Sequence, residues 1–149
     1  MQEFFKQLAA NQVFTVTMVI WVFAQCIKVF LGVIIEKKFD FRWFLGTGGM
    51  PSSHAAGATA LATSCGLNLG FDSTLFALAA VFALVTMFDA QGVRRATGQQ
   101  AEILNKILED IYWKGRVENE RLKELIGHTP IQVFIGALIG LFGALALYR

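Results

Sequence analysis

Charge is what this 149-residue chain has least of: Asp, Glu, Lys and Arg make up 16% of it, where a soluble domain carries about a quarter. Apolar residues reach 55%, and mean hydropathy is +0.53. That balance excludes a soluble globular domain and points to a membrane protein. The 13 Lys and Arg nearly cancel the 11 Asp and Glu, so no broad cationic face is available to neutralise the phosphates of a duplex. Nucleic acid is not an expected partner. Cysteine is nearly absent as well. Cys26 and Cys65 sit inside apolar runs with no C-x-x-C spacing, which leaves no disulfide framework and reads both as free thiols packed at lipid depth. With two histidines, no H-E-x-x-H and no acidic cluster at ligand spacing, neither a metal nor another cofactor is expected. The N-terminal MQEFFKQLAANQ lacks the apolar core and cleavage site of a signal peptide, so the first span should remain in the protein.

What is present is a set of long uncharged runs. A spanning helix needs roughly 20 mostly apolar residues, because hydrocarbon offers no water to an exposed backbone. Four segments approach that length, at about residues 13–35, 52–69, 73–88 and 129–148. The first contains Lys28, which must snorkel or face protein. The second follows Gly46-Thr47-Gly48-Gly49-Met50-Pro51, a run that resists helix. The third, STLFALAAVFALVTMF, has only sixteen residues and ends at Asp89, so it should sit sunk or tilted. Between the third and fourth lies a polar helical segment, 89–128, with 14 of the 24 charges. Leu104, Ile107, Leu108 and Ile111 recur there at helical spacing, with Glu102–Lys106 and Asp110–Lys114 paired four apart. The pattern predicts an amphipathic helix on the membrane surface, and Leu122, Leu125 and Ile126 predict a second, shorter one. The expected fold is all-α: a single integral-membrane domain over 1–149, about four transmembrane helices plus one or two interfacial ones. A second copy of the chain is a possible partner, since four spans alone enclose little space.

The Lys and Arg count orients this arrangement. Ten of the thirteen fall on the side of residues 36–42 and 89–128, only Lys6 and Arg149 on the other, so the first side should be cytoplasmic and both termini should face outward. The expected location is a bacterial plasma membrane.

Both histidines, His54 and His128, stand where a predicted span begins, on that same basic side. In GTGGMPSSHAAG the glycines, Gly49 among them, allow close backbone approach. Ser52, Ser53 and His54 then occupy a helix's first turn, where unpaired amides and the dipole favour an anion. The alternative is a plain N-cap by Ser52 or Ser53. In GHTPIQV, Thr129 and Gln132 fit a capping box with Pro130 at the first helical position, so His128 precedes the helix and Gln132 already has a structural role. Between the two histidines comes DAQGVRR, where Arg94 and Arg95 offer forked donors for phosphate oxygens and Asp89 a counter-ion. Gly136, Gly140, Gly143 and the small residues Ala55, Ala56, Gly57, Ala58 and Ala60 predict close helix packing between the second and fourth spans.

Pro51-Ser52-Ser53-His54 resembles the P-S-G-H motif of the type 2 phosphatidic acid phosphatase and vanadium haloperoxidase superfamily. HTPIQVFIG, from His128, resembles its H-x-x-x-D-V-x-x-G segment. The strings GGMPSSHAAG, DAQGVRR with GQQAEILN, and GHTPIQV are similar to the small divergent branch described as acid phosphatase/vanadium-dependent haloperoxidase-related, over about residues 20–145. The resemblance implies that His128 attacks phosphorus to form a phosphohistidine, that His54 protonates the leaving oxygen, and that Ser52, Ser53 and basic residues hold the phosphate without a metal. Three departures stand out. The K-x-x-x-x-x-x-R-P motif has no clean match beyond loosely placed Lys37, Lys38 and Arg42. The S-R before the nucleophile is missing, with Arg121 and Leu122 near its place. The Asp that orients the nucleophile is Gln132, and a carboxylate-to-amide change in a comparable triad costs about ten-thousandfold in rate.

The sequence therefore predicts a membrane phosphatase acting on a lipid phosphate or diphosphate among the membrane lipids, with His128 and His54 catalytic, Ser52, Ser53, Arg94, Arg95 and Gly49 binding substrate, and Asp89 and Gln132 supporting. The rival, motivated by Gln132, is a non-catalytic phospholipid-binding or lipid-translocating protein that kept the anion site. For the topology, a cysteine placed by Asn119→Cys should react with an impermeant thiol reagent only from the inside. Labelling of intact cells would reverse the orientation.

Overall fold

The computed structural model describes residues 1–37, 49–112 and 128–149, with the backbone alone for 93–97 and 109–112. Six helices lie among them: α1 (Gln2–Ala10), α2 (Gln12–Glu36), α3 (Ser53–Leu69), α4 (Thr74–Gln91), α5 (Val93–Tyr112) and α6 (Pro130–Leu147). Side-chain caps set four of the starts. Asn11 Oδ1 accepts from Phe14 N at 3.1 Å, Ser52 Oγ from Ala55 N at 3.3 Å and Ser73 Oγ from Phe76 N at 3.2 Å. At α6 the expected capping box is present in full, with Pro130 opening the helix.

Three of these helices, α2, α4 and α6, are long and apolar enough to cross a membrane. The fourth expected span, α3, has 17 residues and a length of about 26 Å, slightly under the hydrocarbon thickness. It is the centre of the bundle. Ten of its residues are buried, whereas only 28, 17 and 22% of the apolar stretches of α2, α4 and α6 are, as suits helices whose outer faces meet lipid. Two boundaries differ from the sequence reading. The third span does not stop at Asp89 but runs to Gln91, since nothing at an exposed Asp interrupts a backbone that continues into the interface. And the N-terminal residues form α1, amphipathic and with Phe4 and Phe5 exposed, which the short polar run did not suggest.

Small residues decide how these helices lie together. A Cβ on Gly136 would collide with the Ser52 carbonyl, and one on Gly140 with the Ala56 carbonyl and, at 2.9 Å, with Ala60 N. The α3 and α6 backbones are in contact, and because residue numbers rise together along the seam, the two helices are parallel. Gly143 differs from the expectation: it faces Ile20 of α2, not α3. On another side of α3, Trp21 packs over Gly57 and the Lys28 stem over Gly49, so α2 runs antiparallel to α3. Ala79 and Ala83 meet Ala58 and Ala62, while Ala90 meets Ala55, so α4 is antiparallel as well. The starts of α3 and α6 and the ends of α2 and α4 therefore share one end of the bundle.

From that end α5 leads away. Ile103, Leu104 and Ile107 stay exposed on one flank, opposite an ion pair of Lys106 with Glu102 at 2.8 Å. The pattern is that of a helix at a bilayer interface. Hydrogen bonding from Lys106, and secondarily its charge, holds the Glu102 carboxyl below its ordinary range, though so exposed a pair adds little stability. The Asp110–Lys114 pair and the second amphipathic helix of the sequence reading lie outside the described residues.

The seam gives a direct test. Gly140→Ala should destabilise the protein by about 1–3 kcal/mol, because its methyl meets backbone that cannot move aside. Gly143→Ala meets the Ile20 side chain, Cγ1 at 3.1 Å, and no backbone, so it should cost less than Gly140→Ala, about 1 kcal/mol or below. Thermal unfolding in detergent, followed by circular dichroism, separates the two.

Candidate functional site

At the shared end the chain brings together its two imidazoles. The His54 and His128 rings stand 6.3 Å apart between centroids, inclined at 59°. His54 is in the first turn of α3 and His128 two residues before α6, so the separation follows from the parallel α3–α6 seam. His128 is buried, 2% exposed. Its backbone is fixed from α4, since His128 N donates to Ala90 O at 3.1 Å. Ser52 N donates to Gln132 O at 3.0 Å and ties the start of α3 to the first turn of α6.

Gln132 settles which nitrogen of His128 carries the proton. Thr129 N donates to Gln132 Oε1 at 3.0 Å, as the capping box requires, so the atom there is the amide oxygen. The same oxygen lies 3.3 Å from His128 Nδ1. An oxygen can only accept, so Nδ1 bears the hydrogen, and in the neutral ring the lone pair is then on Nε2. This is the orientation a carboxylate would enforce, without its charge. Gln132 is thus helix cap and ring anchor at once.

The remaining expected residues divide. Ser52 is fully buried, yet its amide is engaged by Gln132 O and its hydroxyl oxygen by Ala55 N, so it acts here as cap and strut. Ser53, 3% exposed, and His54 carry the next two amides of α3, which by helix geometry have no intrahelical acceptor. Gly49 is exposed, with φ of +81°. That left-handed backbone disfavours a side chain, and the Lys28 stem, 3.2 Å from where a Cβ would stand, would have to give way to one. Asp89 is exposed in the last turn of α4. Arg94 and Arg95 open α5 just after Gly92; the phosphate clamp expected of their side chains lies outside the described residues, as do Lys38, Arg42, Arg121 and Leu122.

Two residues of α2 escaped the sequence reading as site components. Lys28, left open there between snorkelling and facing protein, is 7% exposed and packs beneath the Gly49 loop. Gln25 is 6% exposed and one turn closer to Trp21. As Trp21 covers Gly57, antiparallel register puts Gln25 level with Ser53 and His54. The available signal was a lone charge inside an apolar run, since a membrane-embedded ionisable residue marks a site by default. Chemically, the end of the bundle offers one imidazole anchored through Nδ1, a second imidazole within reach of the same small ligand, and one buried lysine beside Gly49. Among the described residues no group of three or more His, Cys, Asp or Glu could hold a metal ion.

Comparison with known proteins places this end of the molecule in context. Residues 9–143 match the model of the divergent PAP2 family. A protein named uncharacterized membrane protein YuiD, from Bacillus subtilis (strain 168), is 46% identical over 140 residues, which cover 85% of this chain and 87% of the relative. No solved structure matches the chain. With three helices fit to cross a membrane and both histidine motifs inside the matched region, this chain is a membrane protein that belongs to the divergent PAP2 family.

Proposed function

We propose that the chain is a phosphatase that hydrolyses the phosphate or diphosphate of a membrane lipid through a phosphohistidine on His128. The observation that carries this reading is the pairing of a His128 ring held in the Nδ1–H form with a second imidazole 6.3 Å away. Near-attack and hydrogen-bond contacts each reach about 3 Å, so one phosphoryl group can touch both rings. In the first step the Nε2 lone pair forms a bond to phosphorus. The bond from phosphorus to the lipid oxygen breaks, and protonated His54 gives that oxygen its proton. Water then attacks the phosphohistidine, His54 takes the water's proton, and the phosphorus–nitrogen bond breaks to release inorganic phosphate. Lys28, the first amides of α3, and Arg94 and Arg95 supply the positive potential for the equatorial oxygens. A cytoplasmic placement of the site goes with this reading, on the Lys and Arg asymmetry.

One observation favours a second reading, in which the site binds a phospholipid without turning it over. The oxygen at Nδ1 belongs to an amide, which orients the ring but offers no charge to the imidazolium-like intermediate.

The two readings part in one assay. Purified protein in EDTA should release phosphate from isoprenyl or glycerolipid phosphates, and His128→Ala should abolish release; tight binding with no release selects the second reading. Gln132→Glu, which keeps the length that lets one oxygen reach both Thr129 N and His128 Nδ1, should raise kcat, recovering part of the roughly ten-thousandfold that separates carboxylate from amide in a comparable triad. Lys28→Met should weaken competition by inorganic phosphate about ten- to a hundredfold, the worth of a charge-assisted hydrogen bond.

A further inference from the structure

Beside the histidine pair, a groove of about 460 Å³ opens between α4 and α6 toward the lipid. Its size falls within the ~300–1,000 Å³ of ordinary ligand sites. Leu84 and Met87 form one wall, Val133 and Ala137 the other, and Gln91 and Pro130 stand at one end. That end belongs to the site. Pro130 is two residues from His128, Val133 and Met87 pack with Ala55 and Ala90, and the Ala90 carbonyl holds the His128 amide.

Each wall covers eight residues, Leu84 to Gln91 and Pro130 to Ala137, so the groove runs about 10 Å along the helices. Its direction is informative. Gln91 ends α4 and Pro130 begins α6, so the groove starts at the ends of the spanning helices and descends about a third of the ~30 Å hydrocarbon layer. A lipid whose phosphate lies at the boundary sends its chain the same way. The one polar side chain of the lining, Gln91, stands at the end nearest His128, and the rest of the groove down to Leu84 and Ala137 is apolar.

We infer that the groove between α4 and α6 is the binding site for the hydrocarbon chain of the lipid whose phosphate meets His54 and His128, entered sideways from the bilayer. This inference rests on the lipid-phosphate reading above and adds the second half of the ligand. The chain fixes the ester oxygen relative to His128 Nε2, and a water-soluble phosphate ester lacking a long chain forgoes that positioning.

The test uses the full chain in lipid nanodiscs and a long-chain lipid phosphate with a diazirine midway along its chain. Photolysis should label α4 and α6 at the groove, orthovanadate should suppress that labelling, and the same chain bearing a neutral alcohol in place of the phosphate should label there at least about tenfold less. Ala137→Trp, at the deep end and about two turns from Pro130, should remove the groove label. Leu84→Trp, on the opposite and half-exposed wall, should do the same and guards against one variant misfolding. In turnover, both variants should lower kcat/KM for the long-chain phosphate about tenfold or more and leave a short-chain, water-soluble phosphate ester unchanged. Labels spread alike over all lipid-facing helices, or equal for the phosphate and the alcohol, would overturn the inference. So would Trp variants that slow both esters equally. Groove labelling without phosphate release keeps the groove and discards hydrolysis; release with scattered labelling keeps hydrolysis and discards the groove.

Discussion

Contact between the α3 and α6 backbones is the constraint on which the remaining geometry depends. In lipid, burying apolar side chains gives no net drive to bring helices together, so close packing and hydrogen bonds have to do it. Gly136 and Gly140 remove the side chains that would hold the axes apart, and the Ser52–Gln132 bond closes the seam at its upper end. The two histidines are attached to that seam at its start. Their separation is a property of two helix origins held in register, and it does not rely on long side chains reaching across a cleft.

Around this seam, α4 and α2 contribute in different ways. Through the Ala90 carbonyl α4 fixes the His128 backbone, and through Met87 it shares an apolar cluster with Val133. From α2 comes a buried polar edge, Gln25 and Lys28, in a helix otherwise fit for lipid. Taking such groups out of water and away from headgroups is expensive, and a span that merely anchored the protein would have no reason to keep them turned inward.

Much of this was legible in the sequence because membrane helices write their limits plainly. The start of α3 after Pro51, the Thr129–Gln132 capping box and the small-residue faces of α3 and α6 all rest on local rules, and local rules are what a sequence states. That both histidines lie at one end of the bundle also followed, from counting crossings. What stayed hidden was azimuth and partnership. A run as uniformly apolar as α2 has a weak amphipathic signal, so the direction in which Lys28 points could not be read from its neighbours. The amide of Ser52 looked available for an anion because its acceptor, the Gln132 carbonyl, lies eighty positions away. Gln132 could be assigned as a cap or as a partner of the ring, and only three dimensions show that one oxygen atom serves both.

The packing is also lopsided in what it lets move. Where α3 and α6 meet main chain to main chain, no rotamer can turn aside, and parting them would break a hydrogen bond and expose peptide groups to hydrocarbon. Against α4 the same central helix presents alanine methyl groups flanked by Leu61 and Cys65, side-chain contacts that can shift with less loss than main chain against main chain. The exception on that flank is Ala90, whose carbonyl holds the His128 amide, so the end of α4 nearest the two rings is tied to them while the alanine contacts farther along are not.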